Sequence, residues 1–300
     1  MLSIEPTGAV LGATVHGLDL ARALADAEFG AVLRALGEHG VLRFPAQRIE
    51  ARDLRDFSRR FGSIQGSVTG KFHHREVPEV GILSNVVENG EPIGIADAGQ
   101  DWHTDMSYTA TKGFVNVLYA VKVPQRDGRP LGDTVFANMH AAYDDLPAGV
   151  KARLAGMTAR HDFNVFWENM RARPGSARAP LTPEQRAKRP PAVHPVCMTH
   201  PITGRTVLYC NPGYAERILD LPEAESREML DYLFAHQLQP KYQYAHSWTV
   251  GDVLVWDHLG TLHNAVPDYG PQEERLMLRC QVMAETVFDP GFRQQWLRAA

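Results

Sequence analysis

In the first fifth of this 300-residue chain, two sets of hydrophobic residues recur at helical spacing, and one short apolar run separates them. The first set follows Asp26, a favourable helix cap, and predicts a helix that leads into a strand at 41–44. The second set predicts a helix over 50–61 that stops at Gly62. The apolar positions on which these two helices depend are Phe29, Val32, Leu33, Leu36, Leu54, Phe57 and Phe61.

Three later stretches are typical of strands. Residues 114–123 (FVNVLYAVKV) and 253–257 (VLVWD) are apolar and rich in β-branched side chains. Along 276–286 the side chains alternate, so aliphatic residues occupy one face while Arg275 and Arg279 share the other. Two arginines on one face of a strand indicate either a bound anion or an exposed edge strand.

Residues 163–191 are rich in Arg, Ala and Pro, which predicts an insertion that leaves the main fold. It is either a lid that becomes ordered when substrate binds or a surface excursion without a part in catalysis. Its aromatic residues, Phe163, Phe166 and Trp167, either line the pocket or pack the lid down. Two helices are predicted after it, at 215–221 and 223–236.

A His-x-Asp unit precedes the strand predicted at 114–123. Chance alone predicts roughly one or two His-x-acid pairs in this composition, and the chain has two, His103–Asp105 and His74–Glu76. The first pair carries more weight because residues i and i+2 of an extended segment point the same way. Two histidines and one carboxylate can occupy one face of an iron(II) ion and leave the opposite face open.

His263 is the best candidate for the third ligand. It follows the strand predicted at 253–257, and its main rival is the nearby His258. Five residues separate these histidines, so on a continuous strand they would face opposite ways. Since His103 and His263 are far apart in sequence, a barrel or jelly roll is needed to bring them face to face.

Further motifs run in order along nearly the whole chain. They are GATVHGLDL (12–20), GVLRFP (40–45), RFG (60–62), WHTD (102–105), GDT (132–134), HPV (194–196), LYCN (208–211) and WD (256–257), followed by His263. In number and order they resemble the iron(II)- and 2-oxoglutarate-dependent dioxygenases of the taurine dioxygenase (TauD/TfdA) family, which includes chlorophenoxyacetate-degrading enzymes. Leu131 departs from the pattern, because the family has Gly-Gly-Asp-Thr at this point.

The resemblance implies a fold, a cofactor and a reaction. The fold would be mainly β with flanking helices around a double-stranded β-helix, a cupin-like jelly roll, in a single domain spanning 1–300. The iron(II) ligands would be His103, Asp105 and His263, and 2-oxoglutarate and O2 would be co-substrates that yield succinate and CO2. The residues implied for 2-oxoglutarate are Thr134, Arg275 and Arg279.

The substrate region departs from that of the taurine-specific relatives. They have a histidine and a tyrosine where this chain has Ser67 and Gly70, and an asparagine where it has Gly99. We therefore expect hydroxylation of a small acidic or zwitterionic substrate other than taurine. The basic run at 71–75 suits such a substrate, although it is equally typical of a solvated loop. The candidate substrate residues are Lys71, His73, His74, Asn85 and Asp101.

Composition favours a globular enzyme without nucleic-acid or membrane partners. Hydrophobic residues make up 44% and charged residues 22% of the chain, and the net charge is −4. The N-terminal residues lack a signal-peptide pattern, and no apolar stretch has the length of a bilayer span. Three widely spaced cysteines are typical of reduced thiols in a cytoplasmic protein. The family resemblance adds the expectation of a homo-oligomer, either a dimer or a tetramer.

Two other functions are compatible with the same ligands. One is an oxygen-independent metal-dependent isomerase or hydrolase on the same fold, in which Thr134, Arg275 and Arg279 would have no purpose. The other is a non-catalytic binding protein, for which intact metal ligands would be unexpected.

Overall fold

Short strands joined by turns and flanked by helices form the computed structural model, which describes residues 1–66, 71–173 and 178–297. The strands are β1 (Ser3–Pro6), β2 (Ala13–His16), β3 (Val41–Phe44), β4 (Ile64–Gln65), β5 (Gly81–Ser84), β6 (Val87–Glu88), β7 (Glu91–Pro92), β8 (Gly113–Lys122), β9 (Gln125–Arg126), β10 (Arg129–Pro130), β11 (Thr134–Asn138), β12 (Thr158–His161), β13 (Ala192–Pro195), β14 (Cys197–Thr199), β15 (Thr206–Leu208), β16 (Ala215–Ile218), β17 (Gln243–His246), β18 (Val253–Asp257), β19 (Thr261–Ala265) and β20 (Leu276–Met283). The helices are α1 (Asp26–His39), α2 (Ala51–Arg59), α3 (Met139–Asp144), α4 (Ala148–Leu154), α5 (Phe163–Arg171), α6 (Pro183–Ala187), α7 (Glu223–Gln237), α8 (Glu285–Phe288) and α9 (Pro290–Leu297), with a 3-10 turn at Pro240–Tyr242.

The largest sheet is built around β8. Its strand order is β1-β2-β3-β18-β8-β20-β4, and β5 also pairs with β20. β8 pairs antiparallel with β18 on one side and with β20 on the other, which suits a strand that is apolar and buried on both faces. The strands predicted at 114–123, 253–257 and 276–286 are confirmed, and the last of them ends at Met283.

The two faces of the large sheet are buried against different layers. Cys280 and Val282 of β20 join the core that α1 and α2 cover, whereas Met277 of the same strand joins a second core on the opposite face. In that second core, Phe136 of β11 packs against Trp256 of β18 with ring centroids 5.5 Å apart. A three-stranded sheet of order β17-β11-β19 therefore faces the large sheet. The placement of Cys280 and Met277 in different cores confirms the alternation predicted for β20.

α1 and α2 are held to the large sheet by aromatic packing. Phe61 follows α2, is fully buried, and contacts Phe29 and Phe57 edge to face at centroid distances of 5.0 and 5.4 Å. Truncation of such a residue to alanine typically costs about 3–5 kcal/mol. Both predicted helices are present, but the N-cap of α1 is Ala25 and Asp26 is its first helical residue, with its carboxylate paired to Arg60 at 3.0 Å.

One predicted helix is wrong. Residues 215–218 form β16, which pairs antiparallel with β12 in a third sheet of order β13-β12-β16. Ala215 and Ile218 are buried there against α7, the helix that was predicted at 223–236. Burial against a neighbouring strand has outweighed the local helical preference of this segment. The insertion at 163–191 contains α5 and α6 and, within its described residues, no strand.

Candidate metal centre

The main chains of His103 and His263 are hydrogen-bonded to each other in both directions. The amide nitrogen of His103 donates to the carbonyl oxygen of His263 at 3.1 Å, and the reverse bond measures 2.8 Å. His263 lies on β19, opposite Phe136 of β11, whereas His103 belongs to the loop before β8. This loop adds one bridge to the edge of β19 and so brings two remote histidines side by side.

Asp105 completes a buried cluster with these two histidines. Its Oδ1 is 3.4 Å from His103 Nε2, and its Oδ2 is 3.8 Å from His263 Nε2. One potential ligand atom from each of the three residues lies within 4.8 Å of the other two. Among the residues that the structure describes, no second group of three His, Cys, Asp or Glu side chains meets this distance.

The orientation of His103 is fixed by its surroundings. The Nδ1 atom of His103 is 2.7 Å from the carbonyl oxygen of Asp101, so this nitrogen is the donor and Nε2 is free to coordinate a metal. Gly213 packs directly against the base of the His103 side chain, since a Cβ atom at this position would lie 2.6 Å from the Cβ of His103. The neighbouring Thr104 donates a hydroxyl hydrogen bond to the carbonyl oxygen of His258 at 2.6 Å, which fixes the loop that carries His103 and Asp105.

The charge states of the cluster suit a divalent transition metal. Burial alone would raise the pKa of Asp105, but the adjacent imidazoles of His103 and His263 hold that pKa well below its usual range. Burial lowers the pKa of His263 well below that of an exposed histidine. An ionised carboxylate and neutral imidazoles are the donors that non-haem iron(II) takes in a 2-His-1-carboxylate site. The donor set therefore fits iron(II).

His258, the rival third ligand, lies beside the cluster but outside it. Its Nε2 is 3.9 Å from Asp105 Oδ2, and its ring centroid is 5.7 Å from that of His263. Burial lowers the pKa of His258 to about 4, so it is a neutral side chain at physiological pH. The three residues that group as potential ligands are those named from the sequence.

Two of the residues predicted for 2-oxoglutarate, Thr134 and Arg279, lie on strands that flank the cluster, and Arg275 immediately precedes β20. Arg279 reaches in from β20, with Nη1 3.9 Å from Asp105 Oδ2. Thr134 is buried on β11, the strand that pairs with the strand of His263, and its Oγ1 accepts a hydrogen bond from Trp248 Nε1 at 3.1 Å. Arg275 is also buried, with its guanidinium 5.9 Å from the Tyr269 ring centroid.

Two of the predicted substrate residues lie on the loop beside Arg279. His73 forms a β-bridge with Gly81, and Gly81 is in turn the cross-strand partner of Arg279. His73 Nδ1 and His74 Nδ1 are buried without a hydrogen-bond partner in the described part of the chain. Lys71 is exposed at the start of this loop. The positions that distinguish taurine-specific relatives, Ser67 and Gly70, lie outside the described residues.

Asn85 and Asp101 have structural partners. Asn85 Oδ1 accepts the amide N–H of Arg275 at 2.8 Å, and its Nδ2 donates to the carbonyl oxygens of Gly270 and Glu273. Asp101 has a φ of 76°, offers its carbonyl to His103, and pairs through its carboxylate with Arg173 beyond the end of α5. Asn85 thus anchors the 270–275 loop, and Asp101 joins the insertion to a histidine of the cluster.

An aromatic wall closes one side of the cluster. Phe166 of α5 and Tyr214 lie beside His103, with ring centroids at 5.1 and 6.0 Å from the imidazole. Tyr108 packs on Tyr214 at 4.8 Å and on Phe163 at 4.9 Å. Sequence reasoning named the two phenylalanines but missed both tyrosines. The close approach that Gly213 permits is the local signal that could have pointed to Tyr214.

Comparisons with known proteins place these features in a family. Residues 3–281 match the family described as Taurine catabolism dioxygenase TauD, TfdA family. The chain belongs to this family. The TauD/TfdA family assignment confirms the predicted jelly-roll fold and the predicted enzyme class, a 2-oxoglutarate-dependent iron dioxygenase with O2 as co-substrate. It does not support the oxygen-independent or non-catalytic alternatives.

The relatives are similar over most of their length. Pentalenolactone F synthase of Streptomyces avermitilis is 34% identical over 94% of this chain and 92% of its own. The alpha-ketoglutarate-dependent 2,4-dichlorophenoxyacetate dioxygenase of a Burkholderia species is 33% identical over 83% of this chain and 84% of its own. A crystal structure of AAD-2 in complex with Mn(II) and N-oxalylglycine superposes with a TM-score of 0.78 at 26% identity, covering 94% of this chain and 97% of the other.

No helix in the described ranges has both the length and the apolar character needed to cross a membrane.

Proposed function

We propose that this TauD/TfdA-family dioxygenase hydroxylates a small organic acid with an apolar body, other than taurine. His103, Asp105 and His263 would be the iron ligands, and Arg279 with Thr134 and Arg275 would hold 2-oxoglutarate. The observation that carries the proposal is the buried His-Asp-His cluster, whose ligand atoms lie within 4.8 Å of one another, with the Arg279 guanidinium 3.9 Å from Asp105.

The aromatic wall supports an apolar substrate body. Burial raises the pKa of Tyr108 and of Tyr214 above that of a free phenol, so both hydroxyls stay neutral at physiological pH. Flat, neutral rings beside the metal ligands favour contact with apolar groups over contact with a compact zwitterion. Two of the curated relatives are named for phenoxyacetate and phenoxypropionate substrates, which combine an aromatic ring with a carboxylate.

A cationic group at the wall, with two histidines beside Arg279, supports the acidic character of the substrate. The guanidinium of Arg189 lies 4.7 Å from the Phe163 ring centroid, at the edge of the aromatic wall. His73 and His74 lie on the other side, beside the strand that carries Arg279. A substrate with its apolar body against the wall would have the Arg189 guanidinium available to its carboxylate.

The residues of the chain have separate tasks in the reaction. When bound, iron(II) and 2-oxoglutarate supply the oxidation, in which O2 is consumed, succinate and CO2 are released, and a C–H bond of the substrate is hydroxylated. Asp105 and the two histidines would hold the metal on one face, and Arg279 would orient the far carboxylate of 2-oxoglutarate. The wall of Phe163, Phe166 and the tyrosines would exclude water from the reacting C–H bond. In this role the 163–191 insertion is a lid.

Three further expectations belong to the proposal. The protein would be cytoplasmic, which the free thiols of Cys197, Cys210 and Cys280 support. It would form a dimer or tetramer, as expected from the family, and it would have no nucleic-acid partner, in keeping with its net charge of −4.

Anaerobic addition of iron(II) and then 2-oxoglutarate to the metal-free protein tests the cofactor assignment. The expected result is a weak visible charge-transfer band in the wild type that is absent from His263→Ala. Succinate release from a panel of aryloxy acids, alicyclic acids, amino acids and sulfonates then tests the substrate class. Turnover of taurine in preference to every apolar acid would overturn the substrate part, and a normal band in His263→Ala would overturn the ligand assignment.

A further inference from the structure

Asn116 is a buried polar residue beside the cluster that the motifs and the proposed mechanism leave without a role. It lies in the middle of β8, is 1% exposed, and donates from Nδ2 to Asp105 Oδ2 at 3.1 Å. We propose that Asn116 is a positioning residue, which holds the Asp105 carboxylate so that Oδ1 alone is offered to iron. This inference rests on the proposed function, because it takes Asp105 as a metal ligand.

The two oxygens of Asp105 have different surroundings. Oδ2 accepts the Asn116 hydrogen bond and has Arg279 Nη1 and His258 Nε2 each at 3.9 Å. Oδ1 faces His103 Nε2 at 3.4 Å. Because a hydrogen bond engages a lone pair of Oδ2, the other oxygen is the better donor for a metal. Ligation through one oxygen keeps three coordination positions open, which the 2-oxoglutarate and O2 reaction requires.

The neutral amide suits this task better than a cation would. A lysine or arginine at 116 would pair with the Asp105 carboxylate and compete with iron(II) for its charge. The Asn116 amide orients the carboxylate and leaves its negative charge for the metal. The His103 ring is oriented in another way, because its Nδ1 atom donates to the main-chain carbonyl of Asp101.

Among the described residues, the bond to Asp105 is the gain that an amide offers at this position. Asn116 Oδ1 is buried and finds no hydrogen-bond partner in the described ranges, and burial of an unpaired acceptor is unfavourable. The residues on either side of it, Val115 and Val117, are fully buried aliphatics. Leucine has nearly the same size and would remove both the unpaired acceptor and the hydrogen bond to Asp105. A polar residue retained in such a place indicates a functional requirement.

Metal affinity measured apart from turnover tests the inference. The experiment is a titration of the metal-free protein with cobalt(II), an oxygen-stable probe, in the wild type, Asn116→Leu, Asn116→Ala and Asp105→Ala. Loss of an outer-shell hydrogen bond is expected to raise the dissociation constant roughly 10- to 100-fold. A cooperative thermal transition of the metal-free Asn116→Leu protein is expected, which shows that the variant folds although it has lost a hydrogen bond to a buried carboxylate. A weaker visible spectrum per bound cobalt is also expected, because a released Asp105 can chelate through both oxygens.

The neighbouring amide of Gln281 provides a matched control. Gln281 is the cross-strand partner of Asn116 on β20 and is also buried. The amide group that donates to Asp105, however, belongs to Asn116. Gln281→Leu should therefore leave the cobalt dissociation constant within about twofold of the wild-type value, since it removes no outer-shell bond to a ligand.

The outcomes separate the inference from the proposed function. Cobalt binding by Asn116→Leu and Asn116→Ala within about twofold of wild type would overturn the role of Asn116, because outer-shell partners normally matter more than this. Equal weakening by Gln281→Leu would overturn it as well. If the leucine variant is destabilised, the dissociation constant of the alanine variant decides. Wild-type affinity in Asp105→Ala would instead overturn the ligand assignment on which the proposed function depends.

Discussion

His200 and Asp257 form a fully enclosed pair behind the metal cluster: Nε2 of His200 lies 2.8 Å from Oδ2 of Asp257, with the side chains 0% and 1% exposed. Asp257 ends β18, and its carboxylate also accepts the main-chain N–H groups of Leu259 and Gly260. These bonds fix the turn that leads into β19 and therefore the position of His263.

Replacement of Asp257 by alanine should destabilise the protein strongly. It would leave the His200 ring and two main-chain N–H groups buried without their acceptor, and removal of one partner from a buried pair typically costs about 3–5 kcal/mol. Urea unfolding of the metal-free protein measures this change. The control is His16→Ala, which breaks the exposed His16–Glu5 pair and should have little effect. Similar losses in the two variants would show that the Asp257 bonds do not stabilise the turn.

Arg279 should control affinity for 2-oxoglutarate and not for iron. Its guanidinium lies near Asp105, but it is not a metal donor, and a charge-assisted pair with the co-substrate is worth about 1.5–3 kcal/mol. Anaerobic calorimetry on Arg279→Ala should show the corresponding rise in the 2-oxoglutarate dissociation constant. Arg279→Lys should recover only part of the affinity, because lysine lacks the two-pronged geometry. Unchanged 2-oxoglutarate affinity in the alanine variant would refute the carboxylate contact.

Arg173 should link the insertion to the cluster. It donates to Gln100 Oε1 and pairs with Asp101, whose carbonyl accepts the His103 Nδ1 bond. Arg173→Ala should raise the KM for the prime substrate by up to about fivefold, as expected for a partly exposed ion pair worth up to about 1 kcal/mol. Iron affinity should be unchanged, because the bond to His103 comes from the main chain.

Arg171→Ala is the matched control for that measurement. Arg171 is the last residue of α5, two positions before Arg173, and pairs with Glu168 one turn away. A KM that rises equally in both variants would indicate a general weakening of α5. A KM that rises in neither would remove the support for the insertion as a lid.

Local patterns and motifs were sufficient to predict strands β3, β8, β18 and β20 and the three clustered residues. The alternation along β20, with Met277 and Cys280 on opposite faces, follows directly from the two-residue period of a strand. His103 and His263 could be named because each stands at a family motif. Their side-by-side arrangement also required the bridge between a loop and β19, which no local pattern encodes.

The parts that sequence reasoning missed depend on contacts between distant segments. Asn116 is part of an apolar run, and nothing local shows that its amide meets Asp105 across a turn. Tyr214 reaches His103 only because Gly213 permits close packing. The helix wrongly predicted at 215–221 is a strand because β12 offers a partner there. In each case tertiary contact outweighs the local preference.

Three buried histidines outside the ligand cluster should make the folded state sensitive to acid. Burial lowers the pKa of His161 to about 3 and the pKa values of His140 and His194 to about 4. In the unfolded chain a histidine titrates near pH 6.5, so from about pH 6.5 down to pH 4 the unfolded state binds protons that the folded state does not. The free energy of unfolding should therefore fall as the pH falls through this window, by at most about 1.4 kcal/mol per pH unit for each histidine.

His161→Phe tests this origin of the acid sensitivity. Both ring nitrogens of His161 lack a hydrogen-bond partner within the described residues, and the ring stacks on Tyr209 at 5.9 Å, so phenylalanine can keep the packing and remove the titration. Urea unfolding of the metal-free protein between pH 7 and pH 4 should show a shallower loss of stability in the variant, with similar stability at pH 7. Since the iron ligands are the same in both proteins, their titration cancels in the comparison. Parallel pH profiles would assign the acid sensitivity to groups other than His161.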